Sequence, residues 1–148
     1  MSDSHPSFLL VDGNNIIHAW PDLLSIFRRR KESARNELIK LLEAYQDFSH
    51  DRVVVVFDGR GLKRSEQRDP GGIQVIFSSG DSSADSIIER LAAGNAQKYR
   101  IVVATNDIPV QDAVVASGGE AISSDSLADR IEQGEKEMHR WLENRRRS

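Results

Sequence analysis

The chain has 148 residues, of which 39% are hydrophobic and 29% charged, a composition typical of one globular domain. It has no cysteine, which excludes disulfide bonds and thiolate metal sites, and no apolar run approaches the roughly 20 residues of a membrane span. The net charge of −3 does not indicate a basic nucleic-acid-binding domain. We expect a single domain over residues 1–148, with a core from about 8 to 140. The first residues do not resemble a signal peptide, so we expect a cytoplasmic protein with no membrane partner.

Strands and helices alternate along the first part of the chain. Phe8–Val11 is predicted to be a strand. Ile16–Phe27 is apolar at helical spacing but contains a proline, which predicts two short turns rather than one helix. Lys31–Phe48 has one apolar face and predicts a helix. The run "RVVVVFD", Arg52–Asp58, predicts a strand that is buried on both faces.

The same alternation continues after a polar segment, Gly59–Gly72, which is predicted to be a long loop of the kind that often carries function. Three more strands are predicted, at Ile73–Phe77, Arg100–Thr105 and Glu120–Ile122. Helices are predicted from Ser83 to about Gln97, within residues 106–119, and from about Ser124 to Glu143. This order predicts an α/β domain, a mostly parallel five-stranded sheet with helices on both faces.

Four carboxylates follow the predicted strands. Asp12, Asp58 and Asp107 come at strand ends, and Asp85 lies in the first turn of the helix that follows the third strand. The carboxyl ends of parallel strands share one edge, where ligands bind in such sheets. Clustered carboxylates repel each other unless a cation is present, and a site of oxygen ligands suits Mg²⁺ or Mn²⁺. The sequence therefore predicts a divalent metal site at this edge.

Each carboxylate also has a structural interpretation. Asp12 and Asp107 are possible helix N-caps, Asp58 a turn residue before glycine, and Asp85 a favourable charge at a helix N-terminus. Taken singly, these interpretations are as good as the metal site. The metal site is favoured because all four fall at the same edge.

Several neighbours have predicted roles at this edge. Asn14 would orient a metal-bound water or phosphate, whereas Asn15 is better explained as a cap. Glu89 lies four residues after Asp85, where it would add a ligand or pair with a base. Asp112 is interpreted as a supporting or surface residue. His18 lies on an apolar stretch and is interpreted as a packed, hydrogen-bonded residue, and the other histidines, His5, His50 and His139, as surface residues.

The ordered set of motifs resembles the NYN domain of the PIN-like nucleases, and most closely its YacP-like group of ribosome-associated endoribonucleases. The motifs are "LLVDGNNIIHAWPDL", "SARNELIKLLEAYQ", "RVVVVFDG", "IQVIFSSGDSSADSIIERL" and "IVVATND". The resemblance covers about Phe8 to Arg140. It implies a parallel sheet with the five predicted strands in the order 3-2-1-4-5, and a metal-dependent nuclease that cleaves single-stranded RNA with water as the nucleophile.

The resemblance also implies site residues. By position, Asp12, Asp58, Asp85 and Asp107 are the catalytic carboxylates, with Asn14 beside the first. Asp12, Asp85 and Asp107 would hold the metal, and Asp58 would complete the site or orient the water. Thr105 and Asn106 would support the last turn. Contacts with the RNA backbone are expected from basic residues: Arg28, Arg29, Arg60, Lys63, Arg64 and Arg68. The expected partners are single-stranded RNA, messenger RNA in particular, and the ribosome.

Two other functions remain open at this point. One is a module of the same fold that binds RNA or a ribosome without cleavage. The other is a phosphatase of the haloacid-dehalogenase type, which also places an aspartate after the first strand. That chemistry requires a second aspartate two residues later, where this chain has Asn14, and a later lysine that is not evident.

Overall fold

The computed structural model of the protein describes residues 7–59, 65–68, 72–80 and 82–147. Within these ranges, six strands form one sheet. The strands are β1 (Ser7–Asp12), β2 (Arg52–Phe57), β3 (Ser65–Arg68), β4 (Gln74–Phe77), β5 (Arg100–Ala104) and β6 (Glu120–Ile122). The helices are α1 (Gly13–Ala19), α2 (Pro21–Arg29), α3 (Lys31–Ser49), α4 (Ala84–Asn95), α5 (Ile108–Ala116) and α6 (Ser124–Arg147).

The strand order is β3-β4-β2-β1-β5-β6. All neighbours pair in parallel except β3, which is antiparallel to β4. The five parallel strands are therefore arranged as predicted, and the α/β fold class is confirmed. The chain builds outwards from β1 to β4 on one side and then crosses to β5 on the other. The reversal of direction thus falls between β1 and β5, where ligands bind in open α/β sheets.

Alternate residues of each central strand face opposite layers. Val53 and Val55 of β2 pack with α1, α2, α3 and α6, whereas Val54 and Val56 pack with α4 and α5. This explains the continuous valine run, since both faces of the strand are covered. No helix in the described part of the chain is both long and apolar enough to cross a membrane.

Two details of the sequence interpretation need correction. Residues 65–68 form the edge strand β3 within the segment predicted to be a loop. An edge strand pairs through its backbone on one side only, so "SEQR" needs no apolar pattern. Around Pro21 the chain forms helices of 7 and 9 residues rather than two turns. The break itself is where it was predicted, because proline is tolerated as the first residue of α2.

Candidate active site at the carboxyl edge of the sheet

Asp12 ends β1 and is only 4% exposed. It stands at the N-cap position of α1, yet its side chain makes no capping hydrogen bond. Instead, its Oδ2 accepts a hydrogen bond of 2.9 Å from the Thr105 hydroxyl. The N-cap explanation of this carboxylate therefore does not hold, and Asp12 is a buried acid aimed at the neighbouring strand end.

The glycine after Asp12 allows α1 to begin directly at the strand end. A Cβ atom built on Gly13 would lie 2.4 Å from two ring atoms of Phe57 and 3.1 Å from Val55. Any side chain at position 13 would push α1 away from β2. Glycine thus lets the helix pack closely against β2 while Asp12 stays aligned with the sheet.

Thr105 is fully buried just after β5 and links two of the carboxylate positions. Its Oγ1 accepts a hydrogen bond of 3.1 Å from the Asp107 backbone N–H and donates to Asp12. A hydroxyl has one proton to donate, so this arrangement directs that proton to Asp12. The Gln111 amide donates to the Thr105 carbonyl at 2.7 Å and further fixes the turn.

Asp107 is the N-cap of α5, as one of the two sequence interpretations proposed. Its Oδ1 accepts from the Val110 backbone N–H at 3.3 Å. The half-exposed carboxylate therefore has a structural role that does not use its second oxygen. Capping and metal binding are compatible at this position.

The two asparagines, Asn15 and Asn106, join the β5 turn to the helices on either side. Asn15 Oδ1 accepts from the Asn106 backbone N–H at 2.8 Å, so its amide caps this turn rather than its own helix. The Asn106 side chain forms two hydrogen bonds of 2.8 Å with Ser124, at the start of α6. These contacts hold the turn that carries Asp107 against both α1 and α6.

Asp58 follows β2 and forms hydrogen bonds with residues of several separate segments. Its backbone N–H donates to Asn14 Oδ1 at 3.3 Å, and its carbonyl accepts from Arg35 at 3.1 Å. Its Oδ1 accepts from the Ala84 backbone N–H at 3.1 Å and from the Ser78 hydroxyl at 3.5 Å. The carboxylate thus caps the first residue of α4 from outside that helix.

Asp85 is the second residue of α4 and is partly buried. The helix begins at Ser83, whose hydroxyl accepts from the Ser86 backbone N–H at 3.1 Å. Glu89 lies one turn later, also partly buried, and forms no ion pair with a base among the residues that the structure describes. Its predicted pairing is therefore not observed, and its role as a ligand stays a prediction.

The electrostatics of the edge follow from burial and like charge. The pKa of Asp12 is raised to about 6. Burial is the main cause, the hydrogen bond from Thr105 opposes it, and the charges of Asp85, Asp58 and Asp107 add to it. The pKa of Asp85 is also raised, first by burial and then by Asp107, Asp58 and Glu89. The four carboxylates therefore lie close enough to interact, and cations would be favoured between them.

The carboxylates at this edge of the sheet do not form a metal site with all of its protein ligands already in place. Over the described ranges, no group of three acidic or histidine side chains is placed so that it could hold a metal ion. A bound ion would need water or substrate oxygens in addition to the protein ligands. Mg²⁺ is commonly bound in this way, through one or two carboxylates with phosphate oxygens and waters.

The predicted basic residues are only partly described. Arg60, Lys63 and Arg64 lie outside the described residues, and the strand β3 contains the backbone of Arg68. Arg28 and Arg29 are exposed at the end of α2. Since Arg35, near the start of α3, contacts the carbonyl of Asp58, the α2–α3 junction lies near the acidic edge.

Sequence reasoning missed Arg35, which reaches the end of β2. Its guanidinium group lies 5.7 Å from the ring centres of both Phe57 and Phe77 while it donates to the Asp58 carbonyl. Ser78 and Ser124 were also missed, although both are buried and polar. Their partners are distant in sequence, so no local pattern identifies them.

None of the three histidines that the structure describes belongs to the acidic edge. His18 is exposed, forms a hydrogen bond of 2.8 Å with the carbonyl of Asn14, and contacts the ring of Phe27. His50 and His139 are exposed, as is Asp112, whereas His5 lies outside the described residues. Cavities of about 350 and 570 Å³ border α3 and α6 and contain none of the four carboxylates.

Comparison with known proteins identifies relatives over most of the chain. Residues 9–148 match the family model described as the YacP-like NYN domain. The chain is 37% identical over 134 residues to the uncharacterized protein YacP of Bacillus subtilis strain 168, covering 89% of this chain and 79% of YacP. The crystal structure of Rae1 (YacP) from B. subtilis superposes with a TM-score of 0.76 at 35% identity, covering 93% of this chain and 80% of that one. Its W164L mutant gives 0.78 at 34% identity, with 93% and 81% covered.

Proposed function

Because the chain belongs to the YacP-like NYN domain family, we propose that it is a metal-dependent endoribonuclease that hydrolyses phosphodiester bonds of single-stranded RNA. One observation supports this proposal more strongly than the other observations do. Asp12 is a carboxylate at the point where the sheet order reverses; burial is the main cause of its raised pKa, and three further carboxylates raise that pKa in addition. An unneutralised arrangement of this kind is typical of functional sites rather than of structural ones.

The donor set fits Mg²⁺ or Mn²⁺, because it consists of hard carboxylate oxygens without sulfur or imidazole. Asp12, Asp85 and Asp107 are the residues we expect to contribute ligands to the ion. Since no three acidic side chains of the described ranges are arranged around one metal position, these three would have to move closer together on metal binding, and water or phosphate oxygens would complete the coordination. When bound, a divalent ion lowers the pKa of a coordinated water and neutralises charge that develops on the phosphate.

The residues of the chain would orient these groups. Thr105 holds the Asp12 carboxylate in one orientation, and the capped turn at Asp107 fixes the neighbouring acid relative to it. Asn14 bridges the ends of β1 and β2 through the Asp58 backbone, which places its amide beside the acids for contact with water or phosphate. Groups that are held in place in this way need little reorganisation during the reaction.

RNA would approach across the basic residues near the edge. Arg28 and Arg29 are exposed close to the start of α3. Four more basic residues follow Asp58 in the sequence: Arg60, Lys63, Arg64 and Arg68. Such side chains contact phosphates, which positions the strand without specifying its sequence. This explains how a chain with a net charge of −3 would bind a polyanion locally.

The direct test is cleavage of an unstructured, 5′-labelled RNA by purified protein with Mn²⁺, Mg²⁺ or a chelator. We expect metal-dependent cleavage that leaves 3′-hydroxyl and 5′-phosphate ends. Asp12→Asn and Asp107→Asn should each lower the rate by about 100-fold or more, since each removes a charged ligand of the metal ion that acts on the reacting phosphate. Asp129→Asn, which removes an exposed carboxylate of α6, is the matched control and should cleave normally.

Other outcomes would favour the alternatives. RNA binding without cleavage under any metal condition would identify a binding module of the same fold. Hydrolysis of a simple phosphomonoester that depends on Asp12 would instead favour a phosphatase. We extend the proposal to messenger RNA on the ribosome, for which cleavage should be faster on translating ribosomes than on the same free RNA.

A further inference from the structure

The four carboxylates at the edge do not have equivalent surroundings, and Asp58 differs most from Asp12. Asp12 accepts one side-chain hydrogen bond from Thr105. Asp58 is exposed, and its Oδ1 accepts both the Ala84 N–H and the Ser78 hydroxyl. From these contacts we infer that Asp58 is a positioning residue, which fixes the start of α4, and with it Asp85, relative to the end of β2. This inference rests on the proposed nuclease function.

The contacts of Asp58 come from four separate segments. Asn14 of α1 accepts its backbone N–H, Arg35 of α3 donates to its carbonyl, and Ser78 and Ala84 hold its carboxylate. The residue is therefore fixed at the backbone as well as at the side chain. Its orientation is set by the fold and does not require a ligand.

These contacts of Asp58 determine the position of Asp85, the next residue after Ala84. The first turn of α4 has two caps: Ser83 accepts from the Ser86 N–H, and Asp58 accepts from the Ala84 N–H. The Ser83 cap is internal to the turn, so it shapes the helix end without locating it. Of the two caps, the Asp58 cap joins the start of the helix to the end of β2, in addition to the packing of α4 against the sheet. Asp85 lies between the two capped positions, so its location depends on that connection.

Gly59 shows that the connection is tightly packed. Its N–H donates to the Ser78 hydroxyl at 3.1 Å, and a Cβ built on it would lie 2.2 Å from the Ser78 carbonyl oxygen. The segment after β4 therefore lies directly against the end of β2. A shift of Asp58 would be transmitted to the segment that leads into α4.

Two substitutions separate positioning from metal binding. Asp58→Asn and Asp58→Ala remove the same negative charge, but only asparagine keeps an oxygen that can accept the Ala84 N–H. If Asp58 positions Asp85, Asp58→Asn should keep RNA cleavage within about threefold, whereas Asp58→Ala should lower it by about tenfold or more, because misplacement of a reacting group is costly. Ser83→Ala weakens the other cap of α4 and should stay within about threefold.

A second readout does not depend on cleavage. In the metal-free protein, amide hydrogen exchange of Ala84 should be about tenfold faster in Asp58→Ala than in the wild type, and unchanged in Asp58→Asn, because only alanine removes the acceptor. Line broadening of the Asp85 amide by Mn²⁺ should require a higher Mn²⁺ concentration in Asp58→Ala than in Asp58→Asn.

The outcomes are distinct. If Asp58→Asn cleaves as poorly as Asp58→Ala while Ala84 stays protected, the charge itself is required and the inference is wrong. Full activity in both variants would also overturn it. If the wild type cleaves no RNA, the proposed function fails, but the exchange and Mn²⁺ data still decide whether Asp58 places Asp85. Should Asp58→Ala fail to fold, Asp58→Asn alone decides between the two roles.

Discussion

Charged side chains have opposite surroundings at the two ends of the parallel strands. At the amino ends, Arg100 at the start of β5 forms two hydrogen bonds, of 3.0 and 3.2 Å, with Glu120 at the start of β6. This pairing, together with its hydrogen bonds, lowers the pKa of Glu120. At the carboxyl ends, burial raises the pKa values of Asp12 and Asp85, and the surrounding charges, which are all negative, raise both values in addition. Charge that stabilises the fold is neutralised by a neighbouring side chain, whereas the charge of the proposed site would be neutralised by the metal ion that we expect to bind there.

Replacing Asp12 should have the largest effect and should separate stability from activity. The pKa of Asp12 is raised from 3.8 to about 6, so the folded chain keeps its proton to higher pH than the unfolded chain. Stability therefore falls as pH rises between these values and levels off above them. At about 1.4 kcal/mol per unit, Asp12→Asn should raise the free energy of unfolding at pH 7 by up to roughly 3 kcal/mol while abolishing cleavage.

Urea unfolding of Asp12→Asn and wild type at pH 7 and pH 3.5 would measure this. The two proteins should differ in stability at pH 7 and agree closely at pH 3.5, where the carboxyl is largely protonated in both states. A variant that is less stable than wild type at pH 7 would contradict the account of Asp12 as a buried, unneutralised charge.

A divalent metal ion should stabilise the folded protein by binding only at the carboxyl ends of the parallel strands. At a Mn²⁺ concentration 100 times the dissociation constant, binding to the folded state should stabilise it by about 2.7 kcal/mol. A thermal melt with and without Mn²⁺ should show this shift in wild type and in Glu120→Gln, and should show little of it in Asp12→Asn. Equal shifts in all three proteins would mean that the ion binds elsewhere.

Substitution of Thr105 tests the hydrogen bond that lowers the pKa of Asp12. Thr105→Val removes the donor that lowers the pKa of Asp12, so the acidic limb of the pH profile for cleavage should move to higher pH. We expect the rate at pH 7 to fall about tenfold, equivalent to about 1.4 kcal/mol. Thr105→Ser keeps the hydroxyl and should restore both the rate and the profile. Equal losses in the two variants would show that packing, not the hydrogen bond, is responsible.

Loss of the ion pair between Arg100 and Glu120, at the amino ends of the strands, should have the smallest effect on stability and cleavage. The Arg100 and Glu120 side chains are 58% and 52% exposed, so solvent screens their interaction. Glu120→Gln should cost less than about 1 kcal/mol of stability. Because the pKa of Glu120 is lowered in the folded state, this contribution is present above about pH 4.5, its ordinary value, and is lost as the pH falls below it. RNA cleavage should be unchanged, and a loss of activity would show that the two ends are coupled.

The fold was predictable because its signals are local. The valine run of β2 predicted a strand covered on both faces, and the apolar face of Lys31–Phe48 predicted α3, which ends one residue later. The edge strand β3 was not predictable in this way, since backbone pairing with β4 holds "SEQR" without hydrophobic alternation. Pro21 marked the break between α1 and α2 but not their full helical length.

The positions of the candidate site residues were predictable, but their contacts were not. Strand ends identified Asp12, Asp58 and Asp107 as neighbours. That Asp58 caps α4, 26 residues away in sequence, depends on how that helix packs against the end of β2. The same holds for Arg35, which lies in a helix pattern with no sign of its contact with the Asp58 carbonyl. Side-chain hydrogen bonds between distant segments leave no periodic signal in a sequence.

The hydrogen bond between Thr105 and Asp12 also has a consequence for folding. It joins residues 93 positions apart, and β1 pairs directly with β5 along the same stretch. Contacts between such distant segments are the entropically costly ones to form. A chain that has made β1, α3 and β2 but not yet docked β5 has no oriented Asp12 and no Asp107 beside it. The acidic edge is thus assembled only when the two halves of the sheet join, so the proposed hydrolytic activity becomes available only in the completed domain.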